Sequence, residues 1–237
     1  MRFFSKESID FLEEISENNN KPWFESNRHR YESLILEPSR LFVQEMGEEL
    51  QVLVPQINAI PKINASLFRI FRDIRLSRDK TPLKSRIGIV FWRGSGKRLQ
   101  SSSFYLHFSP KELFIACGIR GFSKDALAGY RAYIQEERHA KALEDIMIDL
   151  KAKGYAFGEP HYKRYPRGVD KESPYAYLSL YASMFVYDIL PIQRLYKEDV
   201  LETLFRRYQD FLPLFEWIYA LSLTFEITDA KAKSLHL

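Results

Sequence analysis

The densest group of chemically capable side chains lies between residues 69 and 84: Arg69, Arg72, Asp73, Arg75, Ser77, Asp79, Lys80 and Lys84. Arginine recurs at every third position, 69, 72, 75 and 78. A guanidinium is a planar fork of donors that matches the oxygens of a carboxylate or phosphate, and a lysine adds a compact point charge. Arg69, Arg72, Arg75, Lys80 and Lys84 are therefore read as anion-binding, with Asp73, Ser77 and Asp79 orienting the forks. As an extended strand over 66–78, the segment sends Arg69 and Arg75 to one face and Arg72 and Arg78 to the other. Its odd face collects Arg69, Asp73, Arg75, Ser77 and Asp79. The structural alternative is an internal Arg/Asp ladder. Exposed ion pairs contribute only ~0–1 kcal/mol each, a weak reason for so dense an array. Buried, the array is costly unless every charge is paired.

Further groups could serve such a site. Residues 103–109 alternate, with Tyr105 and His107 on the polar face; both are competent proton-transfer groups beside an anion. If that strand shares a sheet with 69–79, then Arg69, Asp73, Arg75, Tyr105 and His107 converge. Trp23, Asn27 and Tyr31 fall at i, i+4 and i+8, one face of a helix, and could line a pocket. Arg131 adds a cation, as does the loop Lys163-Arg164-Tyr165-Pro166-Arg167-Gly168. Each also has a plain structural reading, as a core histidine, an amphipathic helix face or a solvated surface. No triad or metal-ligand spacing occurs, and Gly94-x-Gly96-Lys97 is too short for a phosphate loop. A metal-dependent hydrolase using Asp73, Asp79 and His107 is the weakest option, so no metal is assigned; the cofactor is left unknown.

Among the elements that must carry these groups, Ser5 suits a helix N-cap followed by the stripe Ile9, Leu12, Ile15. That helix should stop at Asn18-Asn19-Asn20. Pro22 opens a second helix through Tyr31, and Pro38 should kink or restart it before Leu50. Strands are expected at 66–78, 87–92, 103–109 and 112–118, joined by short connections that favour antiparallel pairing. Helices follow at 123–137 and 139–153, the latter ended by Gly154. Residues 155–173 read as mostly loop, 184–187 as one more strand, and 174–180 and 192–225 as helical. The fold class is α+β, a mainly antiparallel central sheet with helices packed on it. One domain covers 1–227, with a polar tail over 228–237.

Composition narrows the context. Residues 62–98 hold eleven Lys or Arg against two acids, net +9, so the remainder of this chain of net +4 carries −5. One basic stretch sits in an acidic body. The single Cys117 excludes an intramolecular disulfide and fits a reducing, cytoplasmic compartment. It lies in an apolar run and reads as a buried hydrophobe. The N-terminus has no apolar core of a signal peptide, and no run is long enough to span a membrane.

Asn19-Asn20, Trp23-Phe24, Asn27 and Tyr31, the pattern R..RD.R.S.DK.P.K over Arg69–Lys84, Tyr105-Leu106-His107, Gly118, Arg131 and Pro166-Arg167-Gly168 together resemble domain of unknown function 2461. The resemblance spans roughly residues 3–220. Leu76 and Leu83 stand where it implies aromatic residues. It implies no activity; it marks the motif residues as the place to look. The leading expectation is a binding or catalytic site for an anionic small molecule, phosphate- or carboxylate-bearing. Two alternatives stand beside it: a structural or protein-interaction domain with an internal Arg/Asp network, and a nucleic-acid binding module using Phe68, Phe71, Phe91, Trp92 and Tyr105 for base stacking.

Overall fold

A computed structural model describes the backbone of residues 3–234 and the side chains of residues 3–224. The N-terminal helices form where capping and apolar spacing require them. Helix α1 (Lys6–Glu17) begins at Ser5, whose N–H donates to Ser8 Oγ at 3.1 Å, and buries Ile9, Phe11, Leu12 and Ile15. It ends at Asn18. Asn20 then caps α2 (Lys21–Ser26), its Oδ1 accepting from the Trp23 N–H at 2.9 Å, with Pro22 in the first turn. A short α3 (Arg28–Tyr31) runs into a π turn, Glu32–Leu36, and then α4 (Glu37–Leu53). Pro38 sits in the first turn of α4. A proline has no N–H for the carbonyl one turn back, so the predicted irregularity takes the form of a widened turn.

Six strands form one antiparallel sheet: β1 (Ile57–Asn58), β2 (Ile87–Arg93), β3 (Ser103–Phe108), β4 (Leu113–Ile119), β5 (Ala156–Phe157) and β6 (Met184–Leu190), in the order β1-β2-β3-β4-β6-β5. Helices pack against it, as the sequence predicts for an α+β domain. The tight β3–β4 connection closes with the Ser109 N–H on Glu112 O at 3.0 Å. Gly118 on β4 has φ +130°, and a Cβ there would stand 2.2 Å from the Met184 carbonyl oxygen. Only glycine allows β6 this approach.

One expectation is corrected and one is refined. Residues 66–78 are not a strand; only isolated bridges form there. Residues 155–173 are mostly loop, as read, with one addition: Ala156 and Phe157 pair with Tyr187 and Val186 at the sheet edge. Two apolar-flanked residues give no alternation to read, so β5 has no signature in the sequence.

The remaining helices follow their signals. Helix α5 (Lys124–Tyr133) is capped by Ser123, whose Oγ accepts from the Ala126 N–H at 3.2 Å. Helix α6 (Glu137–Ala152) ends at Gly154, φ +90°, with the Tyr155 N–H on Leu150 O at 3.1 Å. Short 3₁₀ turns occupy Ala176–Leu180 and Ile192–Tyr196. The long α7 (Val200–Ser234) carries Pro213 within it and continues into the segment read as a tail, of which 235–237 lie outside the described residues. No helix is long and apolar enough to cross a membrane among the described residues.

The chain forms two compact units. The first is Met1–Phe91, Tyr105–Ile115 and Ile189–Arg207; the second is Trp92–Phe104, Ala116–Asp188 and Tyr208–Leu237. The first is cored by Phe4, Phe11, Phe24, Phe42, Phe91 and Phe108, the second by Phe104, Tyr130, Tyr208, Phe211 and Phe215. Cys117 is buried in the second, its Sγ 3.8 Å from Phe211 O, and burial raises its thiol well above the ordinary value.

Candidate functional site

The Arg69–Lys84 motif is an irregular arm ending in a loop, carried by the first unit. Residues 66–72 run antiparallel to 82–90. The Phe68 N–H donates to Gly88 O at 3.0 Å, the Lys84 N–H to Ile70 O at 2.9 Å, and the Arg72 N–H to Pro82 O at 2.8 Å. Leu67 is bridged to Ile89 and Phe71 to Leu83. Four steps separate the first partners and six the second, so two extra residues bulge between Leu83 and Ile89. Beyond Arg72 the ladder stops. The inside–outside alternation assigned to 73–79 therefore has no sheet to refer to.

Asn19 pins the returning limb. Its Nδ2 donates to Leu83 O at 3.0 Å and its Oδ1 accepts from the Leu83 N–H at 2.9 Å. One side chain thus satisfies both backbone groups of a residue that is 1% exposed. Phe71 is held from the other side by the edge of Phe24, ring centres 5.4 Å apart.

Within the loop two arginines turn to carboxylates of their own segment. Arg75 grips Asp73 bidentately, Nε to Oδ1 at 2.9 Å and Nη2 to Oδ2 at 2.6 Å. These bonds, with the Arg75 N–H also on Oδ1, hold the Asp73 carboxyl well below the usual carboxylate range, and the charge of Arg69 acts in the same sense. Asp79 accepts from the Thr81 N–H at 2.9 Å, from Arg72 Nη1 and from the Thr81 hydroxyl, which together pull its pKa down to about 2. Lys80 Nζ closes the loop on Ile74 O at 2.9 Å, and Lys84 Nζ holds Arg69 O at 2.8 Å. Ser77 lies at the bend, its N–H on Ile74 O at 3.4 Å. Among the described residues no carboxylate stands within ion-pair distance of Arg69 or Arg78, and both are exposed. The array is an open, partly paired surface loop rather than a buried ladder: the Arg75 side chain is 85% exposed.

Residues 73–79 lie outside the sheet whose strand β3 carries Tyr105 and His107. Tyr105 joins the motif through Phe68: its ring meets Tyr105 edge-on at 5.9 Å, and Lys84 Nζ lies 5.9 Å from the Phe68 centre. Gly88 makes room beneath, since a Cβ there would be 3.0 Å from the Tyr105 hydroxyl. His107 is buried, stacked on Phe114 at 4.8 Å, with Nε2 3.5 Å from Glu112 Oε1. Glu112 escaped sequence reasoning because a two-residue turn, not periodicity, brings it back.

Trp23, Asn27 and Tyr31 are not one continuous helix face. Helix α2 ends at Ser26, and Asn27 is the junction, its Nδ2 on Trp23 O at 2.9 Å and its Oδ1 accepting from Arg30 at 3.3 Å. Trp23 stacks on Phe11 at 5.9 Å. Tyr31 is core, packed on Phe24 at 5.3 Å, and burial pushes its phenol up to about 12. Trp23 and Tyr31 thus pack α1 and α2 on either side of the connection that carries Asn19. Arg131 belongs to the second unit, its guanidinium 4.8 Å from the centre of the Tyr162 ring. Among the described residues no cluster of three or more His, Cys, Asp or Glu is placed to hold a metal ion.

No protein in a search of the curated proteins matches the chain. Residues 7–217 match the model of a family described as conserved hypothetical protein (DUF2461), a span that includes Asn19, the Arg69–Lys84 loop, Tyr105, His107 and Arg131. With nearly the whole of its length matched, the chain belongs to the DUF2461 family.

Proposed function

We propose that the Arg69–Lys84 loop binds an anionic small molecule bearing a phosphate or carboxylate group. The observation that carries this reading is the surplus of cations on a pinned, open loop. Six Lys or Arg face two carboxylates, net +4 over residues 69–84. Both carboxylates are already engaged, by Arg75 and by Arg72 with Thr81. Arg69 and Arg78 remain without a carboxylate partner among the described residues. The paired arginines are oriented; the others supply the attraction. Within this reading Tyr105 and His107 stay the candidates for proton transfer, His107 with Glu112 behind it.

A thermal-shift series with inorganic phosphate, sulfate, nucleotides and sugar phosphates, at constant ionic strength, tests the proposal. Stabilisation that saturates, and that weakens in Arg69→Gln and in Arg78→Gln while the ligand-free melting temperature holds, supports it. No stabilisation by any of these anions sinks it. One observation favours a second reading, a protein-docking loop: Leu76, between Arg75 and Arg78, is fully exposed. Docking on an acidic partner predicts that Leu76→Ser weakens capture of the partner and leaves small-anion affinity unchanged. Nucleic-acid binding predicts a steep loss of affinity with salt, about −0.9 in log–log slope for each phosphate neutralised on duplex DNA.

A further inference from the structure

The second unit carries a guanidinium that nothing in the preceding reading uses. Arg131 lies in the last turn of α5, where the helix dipole favours a cation. The dipole accounts for the charge but not for its surroundings. The Arg131 Nε–H is shielded from solvent and has no hydrogen-bond acceptor among the described residues. No carboxylate stands within ion-pair distance of the group among those residues either. Its one neighbour of note is the face of Tyr162, 4.8 Å away. A ring face attracts the cation but accepts none of its in-plane donors as a carboxylate would.

Both halves of this stack are held to one short element. The hydroxyl of Tyr130, next to Arg131, donates to Leu178 O at 2.9 Å. The Tyr162 N–H donates to Leu180 O, also at 2.9 Å. Leu178 and Leu180 lie in the same 3₁₀ turn, so the arginine and its ring are positioned together. The chain then continues into Lys163, Arg164 and Arg167, all exposed, at a turn made by Gly168 with φ +87°. Residues 161–168 carry three cations and no acid.

We infer that Arg131, backed by Tyr162 and with the cations of 163–167 following that ring in the chain, is a binding site for a phosphate group, the second unit's own. The stacked guanidinium presents its donor edge to two phosphate oxygens, and the loop cations balance a dianion that Arg131 alone cannot. A free phosphate and a phosphomonoester share this chemistry; glycerol 3-phosphate set against inorganic phosphate separates the two sources.

The test reads Arg131 itself. In ¹⁵N-labelled protein carrying Arg69→Gln and Arg78→Gln, so that the proposed loop site is weakened, the arginine Nε–Hε cross-peak absent from an additional Arg131→Lys variant is assigned and followed. Titration with inorganic phosphate, against sodium chloride of equal ionic strength, should shift that peak saturably. Arg164→Ala with Arg167→Ala should weaken the midpoint about tenfold, the loss of one charge-assisted contact. A peak unmoved at about 10 mM phosphate, where a millimolar site is nearly filled, overturns the inference. So does an equal shift with chloride, which would mark simple screening. Should Arg131→Lys fail to fold, Tyr162→Leu supplies the assignment through loss of the ring-current shift. Because the readout sits on Arg131, failure here leaves the Arg69–Lys84 proposal standing, and success does not depend on it.

Discussion

Replacing Asn19 with alanine should loosen the motif from beneath without touching any of its charges. The side chain makes two hydrogen bonds to one residue, at 3.0 and 2.9 Å, and truncation leaves the Leu83 N–H and C=O unpaired in a part-buried setting. A typical net hydrogen bond contributes about 1 kcal/mol, and an abandoned buried group costs about 1–3 kcal/mol. Some water will reach the vacated space, so the expected loss is about 2–3 kcal/mol in total. For a chain of this size that lowers the melting temperature by roughly 4–12 °C. Urea unfolding measures the free energy, and amide hydrogen exchange measures where it is lost. The Leu83 amide should exchange faster than in the parent, with Arg72 and Lys84 amides following as the arm frays. Asn19→Asp should recover little, because a carboxylate can still accept from the Leu83 N–H but meets the Leu83 carbonyl with a second acceptor. A Leu83 amide as slow in Asn19→Ala as in the parent, with an unchanged urea midpoint, would refute the clamp.

Three further outcomes follow from the geometry. Gly118→Ala should fail to give a stable protein, since the new Cβ would sit 2.2 Å from a backbone oxygen at φ +130°; a soluble variant with unchanged melting temperature contradicts the close approach of β4 and β6. Asp79 has a folded pKa of about 2, below its ordinary 3.8, so its contribution is present above pH 3.8 and lost as pH falls towards 2. Melting curves across that window should show an acid-dependent loss that is smaller in Asp79→Asn; parallel curves would show that the Arg72–Asp79–Thr81 bonds do not persist in solution. Cys117 should resist a thiol-disulfide reagent in the native protein and react on unfolding, because burial leaves almost no thiolate; rapid native labelling would contradict its placement.

The motif's form explains its composition. An exposed loop cannot rely on packing for its shape, so local bonds must supply it. Asp73 and Asp79 each accept from a residue two positions on, Arg75 and Thr81, and two lysine ammonium groups close on backbone carbonyls. Short polar side chains that bond nearby backbone are the usual means of holding such turns. The arginines at 72 and 75 serve this framework; those at 69 and 78 point the surplus charge outward.

By itself the sequence determined whatever depends on neighbours a few residues away. Ser5, Asn20, Ser123 and Gly154 marked helix ends because capping is local; 87–92 and 112–118 read as strands because their apolar runs are bounded by turn residues, and 103–109 because it alternates. The charge surplus and the family pattern were equally legible, being properties of composition and order. Tertiary structure alone decided what requires a distant partner. The alternation across 66–78 looked like a strand, but a strand needs a matching edge, and pairing with the returning limb is broken by the bulge between Leu83 and Ile89 and ends at Arg72. Asn19 reaches across 64 positions to hold Leu83, and no periodicity encodes that. Which arginines are tethered and which face solvent likewise rests on where the chain returns, a consequence of long-range backbone pairing.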